Sequence, residues 1–301
     1  MKVHIVTDSA ATITPDVAKQ LGITIVPLTV HVNAGSTTQP GLFNTEIEEI
    51  YQDKTEIDHE ALLLRMGRHR VHPSVVGPMS NQFQRVYTRL TNQTNQIISL
   101  HSSASLSPIC AEARKAAREF LGRCDIVVID SETISLGLSI LVQKAAHLAA
   151  QSVPLGEIMR QIRGIIPRIY IVFITDTLDY LEYSHLISPA QAILGAMLDI
   201  RPFLAIEEGQ IIPMEKVRSR DRAIDKLIEF AGEFSNIEQI AILQNTPYPT
   251  EQTKVLRERL DPIVGDNKPL ILLYGPLLAS HIGPDGIGLL VYEGPSRKIL
   301  F

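Results

Sequence analysis

Ser107 and His281 are the side chains in this sequence best suited to chemistry. A hydroxyl and an imidazole are the nucleophile and base of a Ser–His–Asp triad, and the chain holds aspartates that could complete one. In that hydrolase reading Ser107 attacks and His281 takes its proton. However, no G-x-S-x-G elbow is present and no oxyanion-hole motif is visible. His69 and His72 stand three apart, a spacing that on a helix would put two metal ligands on one face. Gly67 and Pro73 bracket them and no third ligand is evident, so they read as a surface pair. There is no phosphate loop of the G-x-x-x-x-G-K type and no dinucleotide fingerprint. Cys110 and Cys124 form neither a disulfide framework nor a metal-ligand spacing, and read as buried thiols.

The elements that must position these groups alternate. Residues 3–6 are a short apolar run closed by Thr7-Asp8-Ser9, the pattern of a buried strand. Thr14, Pro15 and Asp16 open a helix that Gly22 ends. Residues 23–32 read as a strand interrupted by Pro27, and residues 44–52 and 60–66 as helices, the second ending at Gly67. Strands at 97–100 and 126–129 follow, each with a helix behind it. Ser107 is placed to cap the first of these, with Pro108 in its first turn. Alternating strands and helices predict a parallel-sheet α/β unit, whose ligands sit at the carboxyl ends of the strands. Three strands there end in small hydroxyl or acidic residues: Asp8-Ser9, Ser102 to Ser107, and Asp130-Ser131. Capping and loop bracing explain such residues as readily as a ligand does.

A turn at residues 152–154 and a connecting helix over 155–166 lead into a second region. It contains a hairpin of 203–206 with 211–214 around Glu207-Glu208-Gly209, helices near 189–198, 222–232 and 252–260, and strands at 170–174, 240–243 and 270–274. The expected architecture is α/β in two domains: an N-terminal parallel-sheet unit over residues 1–152 and a C-terminal mixed-sheet α+β unit over 153–301. Residues are 45% hydrophobic and 20% charged, ordinary globular usage, and a net charge of −5 without a basic run argues against nucleic-acid binding. Lys216, Arg218 and Arg220 read as a solvated face. The first residues form a strand start rather than a signal peptide, and no stretch reaches membrane-spanning length, so a cytoplasmic location is expected.

Several stretches, in order, resemble the DegV family: residues 3–9 with Thr12, Ile23 to Leu28, Pro78 to Phe83, Ser103 to Ser107, and Asp130-Ser131 with Ser135 and Gly137. Asp176 to Leu181, Asp199 to Pro202, Gly209 to Ile211, Glu215 to Arg218 and His281 to Pro284 complete the series. The resemblance spans nearly the whole chain. It implies two α/β domains enclosing one long-chain fatty acid, such as palmitate, in an apolar tunnel. No other cofactor and no catalytic residue of its own are implied. In some bacteria such proteins deliver the acid to a separate fatty-acid kinase subunit.

The resemblance also implies the site. The carboxylate would lie near Ser107 and His281, with Ser103, His185 and Leu186 bordering it and Val75, Val76 and Ile109 lining the wall. The family's Thr-Ser-x-Pro loop here reads Val75-Val76-Gly77-Pro78, its Leu-Ser-Gly-Thr loop reads Leu106-Ser107-Pro108-Ile109, and its Gly-Gly-Arg loop reads Ser184-His185-Leu186. Three hydroxyls and an arginine are thereby replaced. A neutral or differently headed lipid is therefore the alternative ligand, and a serine hydrolase the alternative activity. Residues 53–72 are longer than the family pattern and carry no assigned role.

Overall fold

The structure, a computed structural model, describes residues 3–36, 46–69, 71–198 and 200–295. The expected helix residues 44 and 45, and Asp199 of the family series, lie outside these. The first sheet is four-stranded and parallel, in the order β2-β1-β6-β7. Its strands are β1 (His4–Asp8), β2 (Ile23–Val26), β6 (Gln96–His101) and β7 (Asp125–Asp130). Helix α1 (Pro15–Leu21) joins β1 to β2, capped by the Thr14 hydroxyl and closed by Gly22 in the left-handed region at φ 66°.

Pro27 does more than interrupt a strand. It has no N–H to donate to a ladder, and β2 ends at Val26. The chain then enters a separate three-stranded antiparallel sheet, β4-β3-β5, made of β3 (Thr29–Ser36), β4 (Glu46–Gln52) and β5 (Ser74–Val76). The helix expected over residues 44–52 is thus a strand where it is described. Ile47, Ile50 and Tyr51 have helical spacing, but pairing with β3 decides the outcome. Helix α2 (His59–His69) follows and runs through Gly67 instead of stopping there. Helices α3 (Ser80–Leu90), α4 (Ile109–Ala117) and α5 (Leu136–Ala150) complete the first unit.

A turn with Ser152 at φ 61° leads to α6 (Leu155–Ile165) and into a six-stranded mixed sheet, β10-β9-β8-β13-β11-β12. Its strands are β8 (Ile169–Ile174), β9 (Arg201–Glu207), β10 (Gln210–Val217), β11 (Ile237–Gln244), β12 (Leu270–Leu273) and β13 (Ile287–Glu293). Only β11 with β12 is parallel. The β9–β10 hairpin turns through Glu208 and Gly209, both at positive φ, as its sequence leads one to expect. The helices are α7 (Asp179–Tyr183), α8 (Pro189–Met197), α9 (Arg220–Gly232), α10 (Glu251–Val264) and α11 (Pro276–Ile282). No described helix is long and apolar enough to cross a membrane.

One apolar cluster runs through both units. It joins Leu100, Ile109 and Leu138 of the first to Leu181, Leu204, Leu277 and Ile282 of the second. Burial of this continuous kind is the dominant favourable term in holding two units together. A second cluster, centred on Leu227, Ile242, Leu256 and Leu289, lies wholly in the second unit.

Candidate functional site

Polar side chains at the strand ends fall into two groups, those with partners and those without. Asp8 belongs to the first. Its carboxylate accepts from the backbone N–H of Ala10 at 3.0 Å and of Ser102 at 2.9 Å, and contacts His101 Nδ1 at 3.1 Å. His101 Nε2 in turn meets Ser99 Oγ at 2.7 Å, and Ser99 meets the Tyr87 hydroxyl at 2.8 Å. This Asp–His pair is wholly buried and fully engaged. Ser9 donates to Asp53 at 2.6 Å and accepts from Leu28 N–H at 2.9 Å, and Asp53 also meets His59 Nε2 at 2.5 Å. Asp130 accepts from the N–H groups of Ala104 and Glu132. These residues brace loops.

Ser107 and His281 belong to the second group. Ser107 is 5% exposed, and its buried hydroxyl has no hydrogen-bond partner. The expected cap is not made: Pro108 occupies the N-cap of α4 and no side chain caps that helix. His281 lies in the last turn of α11, half-buried, with both ring nitrogens sealed from solvent and unpartnered. It does not hold the turn after it. The wholly buried Tyr274 does so, donating to Gly283 O at 2.9 Å and accepting from Gly286 N–H at 3.2 Å. Burial pushes the His281 imidazole below its ordinary value, and the nearby Leu106 carbonyl opposes that shift without completing a hydrogen bond. Leu106 immediately precedes Ser107, so the loop that carries Ser107 passes beside the His281 ring.

The wall beside that loop is apolar. Helix α11 packs on β5, which carries Val75. At Gly77 a Cβ would stand 3.1 Å from Ser107 Oγ and would collide with Ile109 Cγ1. The glycine is what lets this loop lie against Ser107 and the fully buried Ile109.

The other expected residues fare differently. Val76 is 39% exposed, because successive strand residues face opposite ways and Val75 takes the inner side. Ser103 donates to Gly209 O at 2.7 Å, so its hydroxyl docks the β9–β10 hairpin onto the first unit. His185 stands exposed at a positive-φ corner after α7 and does not join the buried pair. Leu186 is half-buried against the shared core. His72 is not half of a surface pair: its ring lies 4.5 Å from that of Tyr180 and 4.8 Å from that of Tyr183. No cluster of three metal-ligating side chains exists among the described residues. Sequence reasoning missed Tyr274 and Gly77, and only the Tyr-Gly-Pro and Gly-Pro turn signals hinted at either.

Residues 2–294 match the family model described as "Uncharacterised protein, DegV family". A DegV domain-containing protein of Deinococcus radiodurans is 30% identical over 298 residues, covering 96% of this chain and 98% of its own. Protein DegV of Bacillus subtilis is 25% identical over 296 residues, covering 96% and 98%. Among solved structures, a DegV family protein from Thermus thermophilus, described by its fatty-acid binding, superposes with a TM-score of 0.79 at 25% identity, covering 98% of this chain and 100% of that one. A fatty acid binding DegV family protein from Streptococcus agalactiae, 18% identical with a TM-score of 0.82 over 98% and 100%, shows the same fold. The chain belongs to the DegV family.

Proposed function

We propose that the protein is a lipid carrier that holds one long-chain fatty acid, of the palmitate class, where the units 1–152 and 153–301 meet. The head lies at Ser107 and His281, and the tail runs among apolar side chains that include Val75, Ile109 and Leu186. The observation that carries this reading is the buried, unpartnered state of the Ser107 hydroxyl and both His281 nitrogens. An unsatisfied buried polar group costs about 1–3 kcal/mol, and a ligand head removes that cost. The tail supplies most of the affinity, at about 0.8 kcal/mol per buried CH₂. The fatty-acid binding of the Thermus thermophilus relative supports the same ligand class.

Catalysis is not part of this reading. A triad needs a base bonded to the nucleophile and oriented by a carboxylate, whereas His281 has neither partner. The Asp–His pairs already described are both committed elsewhere, Asp8 with His101 to Ser99 and Asp53 with His59 to Ser9. The family resemblance supports a separate fatty-acid kinase subunit as the partner that carries out the chemistry on the acid. Mass spectrometry of lipid extracted from the purified protein tests the carrier role. Recovery of a stoichiometric single-chain lipid is expected. An empty protein that also fails to take up added palmitate would refute it, and ester turnover lost in Ser107→Ala would restore the hydrolase.

A further inference from the structure

On the reading that Ser107 and His281 receive the head of an acyl lipid, we propose that the site accepts an uncharged head able both to donate and to accept hydrogen bonds, so that a fatty acid binds there as the protonated acid and a fatty alcohol of equal length binds as well. The groups that wait for the head are a hydroxyl and the two nitrogens of an imidazole. A neutral imidazole offers one donor and one acceptor, and a serine hydroxyl offers both. A carboxylate only accepts, so it leaves the imidazole lone pair facing an oxygen lone pair. A carboxylic acid or an alcohol satisfies both roles.

The described elements around α11 supply no buried cation, and the neighbouring His72, packed on Tyr180, is held towards its neutral form by burial. The elements packed most closely on α11 are α2, α7 and β5. From α2, Arg65 pairs with Glu49 at 2.8 Å, His59 meets Asp53 at 2.5 Å, Arg68 and His69 are exposed, and Glu60 is acidic. From α7 come Asp179, Tyr180, Glu182 and Tyr183, and β5 carries no ionisable group. The turn after His281 adds only Asp285. What does face the ring is the Leu106 carbonyl, which presents partial negative charge. The carbonyl end of α11 adds more of the same sign. The start of α4, beside Ser107, is the one feature that favours an anion. Pro108 contributes no N–H there, and Glu112 in the first turn already supplies a negative charge, accepting from Ser80 N–H at 2.8 Å.

The test uses the full chain, stripped of lipid, with [1-¹³C]palmitic acid and hexadecan-1-ol delivered from cyclodextrin. The bound carboxyl resonance is expected at the protonated-acid position at pH 8, with no titration near the acid's solution pKa. Palmitate affinity is expected to fall about tenfold per pH unit above that pKa. Hexadecan-1-ol affinity is expected to stay flat with pH and to displace palmitate at pH 8. A resonance at the carboxylate position, or an alcohol that does not displace the acid, overturns the proposal while leaving the carrier role intact. Failure of both ligands to bind overturns the carrier role as well.

Discussion

Removing the Ser107 hydroxyl separates the two roles open to a buried serine. A cap or brace stabilises the empty protein, whereas a ligand group does not. Ser107 makes no hydrogen bond within the chain, so Ser107→Ala is expected to leave the melting temperature of the lipid-free protein unchanged or slightly raised. The same change should weaken fatty-acyl binding by about 1 kcal/mol, roughly fivefold to tenfold in Kd. Paired melting and binding measurements read both. Tyr274→Phe behaves oppositely. It leaves Gly283 O and Gly286 N–H unpaired, and a loss of about 1–3 kcal/mol in stability is expected from chemical denaturation. For His281 the folded state binds its proton less readily than the unfolded state, because burial disfavours the charged ring. Its contribution is complete above the usual value of 6.5 and is lost as pH falls from there towards the lower folded-state value. His72 shifts the same way, through burial. A melting temperature that falls on acidification below about pH 6.5, with a shallower slope in His281→Gln, is the expected pattern. The sequence pointed to Ser107 and His281 through family spacing. It could not show that both lack partners, since that depends on Pro108 taking the cap position and on Tyr274 taking the turn.

Elements were legible wherever local signals agreed with tertiary pairing. The caps at Thr14 and the Glu208-Gly209 hairpin turn state their geometry in their own residue types. The sheet β4-β3-β5 did not, because β4 has helical apolar spacing and β5 is only three residues long. Its existence rests on partners distant in sequence, which no local pattern records. Yet this small sheet brings Val75 and Gly77 to the loop of Ser107 and to α11, which carries His281. Gly77→Ala is the probe of that placement. The added methyl meets the fully buried Ile109, and overpacking of this kind costs about 1–3 kcal/mol. Ile109→Ala should couple favourably with it in a double-mutant cycle, because it removes the Cγ1 that the methyl strikes.

For the whole molecule, the decisive feature is that the core of the parallel sheet continues into the six-stranded sheet, which keeps a second core of its own. The shared cluster from Leu100 to Ile282 crosses the junction, and two hydrogen bonds and one packing contact reinforce it. Ser103 holds the hairpin at Gly209, Tyr180 donates to Val71 O at 3.1 Å, and His59, anchored on Asp53, lies against Gly275. The last two give the long 53–72 segment a role: it ties the first unit to α7 and to the start of α11. Gly209 is the contact most open to test. It sits at φ 78°, and a Cβ there would strike Ser103 Oγ and stand 3.2 Å from Glu132 Cα. Gly209→Ala therefore loses the hydrogen bond, strains the backbone and pushes the hairpin from the first unit, at about 1–2 kcal/mol for the φ alone. If the units meet around the ligand, that undocking lowers lipid affinity although Gly209 touches no ligand, and saturating palmitate should raise the variant's melting temperature less than the wild type's. The reason is linkage: a ligand stabilises only the state that binds it, by RT ln(1 + [L]/Kd). An equal ligand-induced rise in both proteins, measured by calorimetry at matched lipid concentration, would mean that the site belongs to one unit and that the junction merely passes beside it.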